Sequence, residues 1–371
     1  MAFSQAIADE VFVRCGRHCC LCGVFAGQKM ELHHIKQAAD GGEDSIENCI
    51  PLCLNCHAEV KAYNPKHPKG RKYTEAELKG HRDKYFAQYS TIASPPVAVD
   101  AKDTFIDWFD RSSEDSRSPI TWGFRDLNAL FPLRPGCVVM IAGYTGSGKS
   151  IYVQNVVREN LKRGNSAVYF NLKESSEIVL NNMISAEALI PVGNIHRNQL
   201  TPVEWQRLSY ATGALNITNL KFVPYNPDLS IQEQLVATVR NSQAQIVIVD
   251  DIGGLGLRDD SEAESFMYRL KGAASASEVV VFLVSHLTRK NFRFDDHPVL
   301  SDFGTDSIYR FCDVVQFVYR DHWDDDSSAV VKKIEIITAK SMVSNKPMTV
   351  ILAALPDHPV VCDLGESTTL D

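Results

Sequence analysis

Short runs of consecutive apolar residues recur through the last two thirds of the chain, and they alternate with longer segments in which apolar residues have helical spacing. Runs of this length are typical of strands that are buried on both faces, as in parallel sheets. The predicted strands cover residues 138–141, 167–170, 246–249, 279–284, 314–319, 333–339 and 348–352. We therefore predict an α/β fold, with helices on both faces of a mostly parallel sheet that ends in an antiparallel hairpin.

The first ninety residues have a different pattern, built around cysteine and histidine pairs. Adjacent His33 and His34 are expected in a short strand, where successive side chains face opposite sides. A second element, a helix, is expected to begin near Cys56. Thr74 and Glu77 have the spacing of a capping box, which predicts a further helix running toward Tyr89.

Two C-x2-C pairs, separated by about thirty residues, have the spacing of a zinc site. The four residues are Cys19, Cys22, Cys53 and Cys56. Four thiolates complete a closed tetrahedron that leaves no open position for a substrate. We therefore predict a structural Zn²⁺ that stabilises a domain too small to bury a large core.

His33, His34, Asn48 and His57 lie within this cysteine frame but are not needed for its zinc site. Their order resembles the HNH endonucleases, which are strand-strand-helix metal nucleases, over roughly the first ninety residues. The resemblance implies that His34 deprotonates the water that attacks a phosphodiester, and that His33 and His57 hold a divalent cation. It also implies that Asn48 orients the loop carrying His34. An imidazole at position 33, where many members have Asp, favours Mn²⁺ or Ni²⁺ over Mg²⁺.

A phosphate-binding P-loop pattern follows the predicted strand at 138–141, and a helix is predicted at 151–161. Its nucleotide-binding residues are Gly143, Thr145, Gly146, Ser147, Gly148, Lys149 and Ser150. Glycines allow backbone amides to curl around phosphates, Lys149 neutralises the outer phosphates, and Ser150 reaches Mg²⁺. Asp250, at the end of a later apolar strand, is the expected second Mg²⁺ anchor, with Asp251 as its alternative. This pattern predicts binding of ATP with Mg²⁺.

Several further motifs occur in a fixed order around the P-loop. They cover residues 122–127, 134–136, 285–289, 298–302, 312–315 and 319–321. In this order they resemble the ATPase domain of DnaB-type replicative helicases, a RecA-like fold, over about residues 119–355. The resemblance implies a homo-oligomeric ring, a hexamer, in which each nucleotide site is completed by the neighbouring subunit. An HNH module stands where the helicases have their own N-terminal domain.

Three positions depart from the helicase pattern. Lys173 stands where the helicases have the glutamate that activates water, and Glu174 is the nearest candidate to replace it. His286 stands where they have a glutamine that senses the terminal phosphate. Lys340 matches the lysine of the finger that reaches the next subunit, but Met342 occupies the arginine position. Because such an arginine contributes about 10³-fold or more to phosphoryl transfer, we expect nucleotide binding with slow hydrolysis.

The net charge of -8 does not exclude DNA as a partner, because basic and acidic groups are nearly balanced in the first ninety residues. A basic stretch at 61–84 and a short loop after the predicted strand at 279–284 are candidate DNA contacts. The candidate residues are Lys69, Arg71, Lys72, Arg289, Lys290 and Arg293. For the first stretch a solvated helix face is an equal alternative, and for the loop an exposed turn.

We predict an HNH nuclease domain at 1–90, a linker at 91–118 and a RecA/DnaB-like ATPase domain at 119–371. An apolar patch in the linker, at 105–109, is a candidate for a helix that docks on a neighbouring subunit, or for packing against its own domain. The N-terminus has no basic segment followed by an apolar run, so we expect no secretory signal, a cytoplasmic location and no membrane partner.

These features together predict a nucleotide-regulated, oligomeric HNH DNA endonuclease that uses a divalent metal. Partner proteins from a phage-defence or DNA-replication system are compatible with this prediction. One alternative is an ATP-driven DNA translocase that carries a nuclease. Another is a non-catalytic scaffold, in which the zinc module only docks on DNA.

Overall fold

A computed structural model of the 371-residue chain describes residues 3–61, 72–90, 101–102, 120–223, 230–287, 297–320, 331–344, 346–355 and 357–364. Contacts between Cα atoms divide the chain into two compact units, Met1–Ser113 and Glu114–Asp371. Among the helices of the described segments, none is long and apolar enough to cross a membrane.

The first unit packs three helices against a two-stranded antiparallel sheet. Its elements are α1 (Gln5–Arg14), β1 (Met30–His34), β2 (Cys49–Cys53), α2 (Leu54–Lys61) and α3 (Glu75–Ser90). The predicted capping box is present in α3, because Thr74 and Glu77 each accept a hydrogen bond from the other's backbone amide. The helix predicted near Cys56 begins slightly earlier, at Leu54, and α1 was not predicted from the sequence.

The second unit alternates strands and helices. Its helices are α4 (Arg125–Leu130), α5 (Lys149–Lys162), α6 (Ser176–Ala188), α7 (Val192–His196), α8 (Pro202–Ala214), α9 (Ile231–Asn241) and α10 (Asp260–Ser277). Its strands are β3 (Val138–Gly143), β4 (Ala167–Asn171), β5 (Leu220–Phe222), β6 (Ile246–Asp250), β7 (Val280–His286), β8 (Val314–Tyr319), β9 (Lys332–Lys340), β10 (Met348–Leu355) and β11 (Val360–Asp363). All seven predicted strands are present, and the two additional strands, β5 and β11, are short.

The strands of the second unit form one sheet in the order β11-β10-β9-β8-β3-β7-β6-β4-β5 within the described residues. The pairs from β8 to β5 are parallel, whereas β9, β10 and β11 are antiparallel to their neighbours. The predicted mostly parallel sheet with a terminal antiparallel hairpin is therefore confirmed. β3 is central, so the loop that follows it begins at the middle of the sheet's carboxyl edge.

Apolar side chains cover both faces of this sheet. Val139 and Ile141 belong to one buried cluster, which includes residues of α5, whereas Met140 belongs to a second cluster, which includes residues of α10. Successive residues of a strand point to opposite faces, so the two clusters lie on opposite sides of β3. This arrangement confirms the predicted layers and fixes the carboxyl edge as the place where loops from several strands meet.

Some sequence predictions lie outside the described residues. These are the candidate DNA contacts Lys69, Arg71, Arg289, Lys290 and Arg293 and the apolar linker patch at 105–109. Lys72 is described and its side chain is exposed.

Candidate functional site

The four predicted zinc cysteines come together in the first unit. Their sulfur atoms all lie within 4.8 Å of one another, and Cys22 Sγ is 3.8 Å from Cys53 Sγ. A tetrahedron with Zn–S bonds of about 2.3 Å has sulfur–sulfur edges of about 3.8 Å, so the donor set fits Zn²⁺. Cys19 and Cys22 lie in the turn before β1, and Cys53 and Cys56 lie where β2 meets α2. In the described part of the chain, this cluster is the group of three or more such side chains that could hold a metal ion.

His33 and His57 are brought together by the pairing of β1 with the start of α2. Their ring centroids are 5.3 Å apart with an interplanar angle of 78°, and both side chains are buried. Metal–imidazole bonds are about 2 Å long, so one nitrogen of each ring can reach a shared cation. Burial, together with the charges of His57 and Lys61, lowers the pKa of His33 to about 4. At neutral pH, His33 is therefore in the uncharged form that binds metals.

His34 points away from this pair, toward the segment between β1 and β2. Its Nε2 lies 2.6 Å from Asp44 Oδ1, and its ring stacks on Phe3 with centroids 4.0 Å apart. A carboxylate on one imidazole nitrogen fixes the ring orientation and stabilises the imidazolium that forms when the ring accepts a proton. The predicted base therefore has a counter-charge that the sequence did not reveal.

Asn48 closes the loop that connects β1 to β2. Its Oδ1 accepts a hydrogen bond from the Lys36 amide at 2.7 Å, and its Nδ2 donates to the carbonyl groups of Lys36 and Glu43 at 3.0 and 2.9 Å. A Cβ on Gly42 would lie 2.0 Å from the Lys36 carbonyl oxygen, so only glycine fits there. Asn48 holds the loop that carries Asp44 and thereby positions His34.

Three polar residues at this site were missed in the sequence. Glu31 contacts His57 Nδ1 through its carboxylate, Asp44 pairs with His34, and Gln37 Nε2 lies 3.3 Å from His33 Nε2. Glu31 has a sequence signal, since a residue two positions before His33 in a strand faces the same side. Asp44 and Gln37 have no such signal, because their positions depend on the path of the loop.

Arg82 differs from the other residues of the basic 61–84 stretch. Its side chain is 5% exposed, and Nη1 donates hydrogen bonds to the carbonyl groups of Ile46 and Glu47 beside Asn48. The prediction of a phosphate contact is wrong for Arg82, because its guanidinium is already used inside the unit. Tertiary packing, which the charge pattern does not show, decides its role.

The second site lies at the carboxyl edge of the large sheet, where the loop after β3 leads into α5. This loop comprises Gly143, Thr145, Gly146, Ser147, Gly148, Lys149 and Ser150. Gly148 caps α5 with φ 92°, a left-handed conformation that favours glycine. Ser147 Oγ is buried without a hydrogen-bond partner, and Lys149 Nζ donates to the Tyr144 carbonyl at 2.8 Å. Unpaired donors at a helix N-terminus fit the phosphates of a nucleotide.

Residues from three other strand ends complete a pocket of about 150 Å³ around this loop. Asp250, at the end of β6, is 5% exposed and accepts hydrogen bonds from Tyr169 Oη, at 2.9 Å, and from Ser150. Burial raises the pKa of Asp250. His286, at the end of β7, lies 2.9 Å from Thr145 Oγ1 through Nε2. The predicted loop, Asp250 and His286 are therefore assembled in one place, and the Ser150–Asp250 pair fits a Mg²⁺ ion.

The two further nucleotide-site candidates, Glu174 and Lys340, are not among the residues that line this pocket, whereas Lys173 is. Glu174 is exposed, and its backbone amide donates to Asn171 Oδ1 at 3.2 Å. Lys340 Nζ donates to the carbonyl groups of Tyr309 and Arg310 in its own chain. Glu174 as the water-activating residue and Lys340 as a finger toward another subunit stay predictions.

Nucleotide affinity is expected to fall by about tenfold between pH 7 and pH 9. Burial, with the nearby charge of Lys173, lowers the pKa of Lys149 to about 8. Bound phosphate favours the charged ammonium, so binding takes up a proton at pH values above 8 and weakens as pH rises. Titration calorimetry with Mg-ATP measures this directly. Lys149→Arg should bind with little change over the same range, since arginine does not titrate there, whereas a flat wild-type profile would contradict the prediction.

Comparisons with known proteins match both units. Residues 119–350 match the family described as DnaB-like helicase C terminal domain, and residues 13–62 match the family described as HNH endonuclease. The replicative DNA helicase DnaB of Geobacillus stearothermophilus is 27% identical over 253 residues, which are 64% of this chain and 55% of the relative. The replicative DNA helicase DnaC of Bacillus subtilis matches with the same identity and coverage. The chain thus spans about half the length of these relatives.

Solved structures show the same fold. A viral-type name aside, the first is described as an ATPase domain, which superposes with a TM-score of 0.63 and 20% identity, covering 72% of this chain and all of that one. Another is described as a DnaB-like replicative helicase and its interactions with primase, with a TM-score of 0.60 and 18% identity, covering 78% of this chain and 73% of that one. At these identities the likeness shows a fold shared with the second unit.

Proposed function

Because the chain belongs to the family of DnaB-like helicase C-terminal domains, we propose that it uses this domain to assemble and control several copies of an HNH DNA endonuclease. The protein would hydrolyse phosphodiester bonds in the first unit and bind ATP in the second. The proposed boundaries are a nuclease domain at 1–90, a linker at 91–118 and an ATPase domain at 119–371.

One observation carries the nuclease part of the proposal. His33 and His57 lie with their rings 5.3 Å apart, while His34 is separately held by Asp44. A structural zinc domain needs neither feature, since the four cysteines already form a closed site. A hydrolytic site needs both, because it must bind a cation and must also accept a proton from water.

In the proposed reaction, His34 accepts the proton of the attacking water. Asp44 occupies Nε2, so Nδ1 is the nitrogen that takes the proton, and the Asp44 carboxylate stabilises the imidazolium. Asn48 keeps the loop that carries Asp44 in place through its three hydrogen bonds to backbone groups. Proton acceptance by a positioned side chain contributes about 10²- to 10⁴-fold to a rate.

His33 and His57 would hold the divalent cation, Mn²⁺, Ni²⁺ or Mg²⁺. When bound, that ion stabilises the negative charge that develops on the phosphate. Glu31 contacts Nδ1 of His57, which leaves Nε2 as the metal-binding nitrogen. The two histidines provide only part of a coordination shell, so substrate oxygens and water can occupy the other positions.

Contacts to DNA are proposed for basic residues at two places. They are Lys69, Arg71 and Lys72 in the first unit and Arg289, Lys290 and Arg293 in the second. Such residues would bind the phosphate backbone without reading its sequence. We also propose a ring, a hexamer by family resemblance, in which Lys340 reaches the site of the next subunit. Occupancy of that shared site by nucleotide would then govern cutting.

The pocket geometry favours this reading over the translocase alternative. Translocation requires repeated hydrolysis, whereas Lys173 stands in the pocket and Glu174 does not. A role in phage defence or DNA processing is a proposal about context and depends on this activity being present.

The test is plasmid cleavage with Mn²⁺, Ni²⁺ or Mg²⁺, each without nucleotide and with ADP, ATP or a non-hydrolysable ATP analogue. We expect cleavage by the wild type to respond equally to ATP and its analogue, and we expect Lys149→Ala to lose that response. Removal of the lysine takes away the charge that neutralises the outer phosphates. Native mass spectrometry of the same samples reports ring size.

Two results would count against the proposal. Absence of cleavage with every metal and nucleotide would remove the nuclease and favour the scaffold. Cleavage that ATP supports and its analogue does not would show that hydrolysis drives the protein, as in the translocase alternative. An equal response of Lys149→Ala and wild type would separate the nuclease from nucleotide control.

A further inference from the structure

Lys173 brings a second ammonium group to the nucleotide pocket. It lies two residues beyond β4, in a turn fixed by the hydrogen bond from the Leu172 amide to the Asp250 carbonyl at 2.8 Å. Leu172 also packs closely on Gly254, where an added Cβ would lie 2.7 Å from the leucine Cβ. The turn therefore directs Lys173 toward the pocket that Lys149 also lines.

The charges in this pocket are poorly balanced without a ligand. The positive charge of Lys173 acts on Lys149 and on His286, and it contributes to the lowered pKa of both groups, after burial. Of the two carboxylates in the pocket, Asp250 is already bound by Tyr169 and Ser150, and Asp251 accepts a hydrogen bond from the Gly253 amide. A ligand with several negative charges would relieve the repulsion between the two lysines.

We propose that Lys173 binds the terminal phosphate of a nucleoside triphosphate, so that the pocket distinguishes triphosphate from diphosphate and holds the triphosphate without hydrolysing it. This inference rests on the proposed nucleotide control of the nuclease and adds to it the state that is sensed. Lys149, in the first turn of α5, contacts the phosphates nearer the loop, and Lys173 faces them from the end of β4. The bound triphosphate itself, rather than its turnover, is then the signal.

The same geometry explains why the triphosphate persists. Hydrolysis requires a group that orients or deprotonates the attacking water. An ammonium has no lone pair with which to accept a proton. Among the described residues that line the pocket, both carboxylates already accept hydrogen bonds from other groups, and Asp250 is positioned with Ser150 as a cation ligand.

The experiment measures the affinities of the full-length wild type, Lys173→Gln and Lys173→Arg for Mg-ATP, its non-hydrolysable analogue and ADP. Lys173→Gln should bind both triphosphates about tenfold more weakly, while its affinity for ADP changes less than about twofold. Lys173→Arg should retain the preference for triphosphate, because it keeps the positive charge. Lys221→Ala, which removes an exposed lysine from β5 outside the pocket, should bind all three like wild type.

Phosphate release measured on the same wild-type sample should stay close to the rate without protein. The inference is overturned by equal losses of ATP and ADP affinity in Lys173→Gln, by unchanged ATP affinity, or by rapid wild-type hydrolysis. If the wild type binds no nucleotide, both this inference and the proposed nucleotide control fail. Triphosphate-selective binding without any DNA cleavage would leave this inference standing and remove the proposed nuclease.

Discussion

His34→Ala is expected to slow metal-dependent DNA cleavage by about 10²- to 10⁴-fold, the range that a positioned proton acceptor contributes. The imidazole is paired with Asp44 at 2.6 Å and stacked on Phe3, so it is held in one orientation before substrate binds. Alanine removes the acceptor and leaves the four cysteine ligands intact. Single-turnover nicking of plasmid DNA with Mn²⁺ gives the rate, and release of zinc to a chromogenic chelator gives the zinc content.

The control for this variant is His81→Ala. His81 is a half-buried histidine of α3 in the same unit, outside the group formed by His33, His34 and His57. It should cleave within about twofold of wild type, and both variants should carry one zinc ion. If His34→Ala cleaves like wild type, another group accepts the proton and the role proposed for His34 is wrong. If both variants lose activity, the cause lies in folding rather than in chemistry.

The zinc ligands and the phosphate-binding loop could be predicted because each is set by residues close in sequence. Two cysteines separated by two residues can bind one ion wherever the turn lies. The glycines and Lys149 likewise act within a single turn at the start of α5. The seven predicted strands share this property, since each is a continuous apolar run. The short edge strands β5 and β11 bury too few residues to give such a pattern.

Features that depend on the path of the chain were harder to predict. Asp44 reaches His34 across ten positions because Asn48 and Gly42 fold the loop back. Arg82 reads as a surface charge in the sequence, yet it crosses thirty-five positions to bind the Glu47 carbonyl. In both cases the partner is selected by tertiary packing, which neither charge nor periodicity encodes.

The choice between Lys173 and Glu174 shows the same limit at the scale of one residue. Both are adjacent in sequence, and both are exposed where β4 ends. The hydrogen bond from the Leu172 amide to Asp250 sets the turn, and of the two it is Lys173 that lines the pocket. Sequence spacing alone permits either residue, whereas the fixed turn gives the pocket a cation at this position.

Cys56→Ser is expected to release zinc and unfold the first unit while the second unit continues to bind nucleotide. Zinc binding contributes about 10–16 kcal/mol of apparent free energy in zinc-finger peptides, comparable to or larger than the typical 5–15 kcal/mol stability of a whole domain. Cys19 and Cys56 also belong to the apolar core of this unit, so the cluster and the core form together. Hydrogen exchange of residues 3–61 and of β3 to β7 reports the two units separately, beside zinc content and ATP affinity.

Cys20→Ala provides the matched comparison, because Cys20 is fully buried and lies between two proposed ligands in sequence but outside the cluster of four sulfur atoms. It removes one buried sulfur and should cost only about 1 kcal/mol, the usual effect of a point substitution, with zinc retained. Equal zinc content in Cys56→Ser and Cys20→Ala, with unchanged exchange protection, would show that the four cysteines do not hold the ion. Loss of protection in both units of Cys56→Ser would instead mean that the two fold as one. Selective loss in the first unit is the result that a zinc-dependent nuclease domain, joined to an independently stable nucleotide-binding domain, requires.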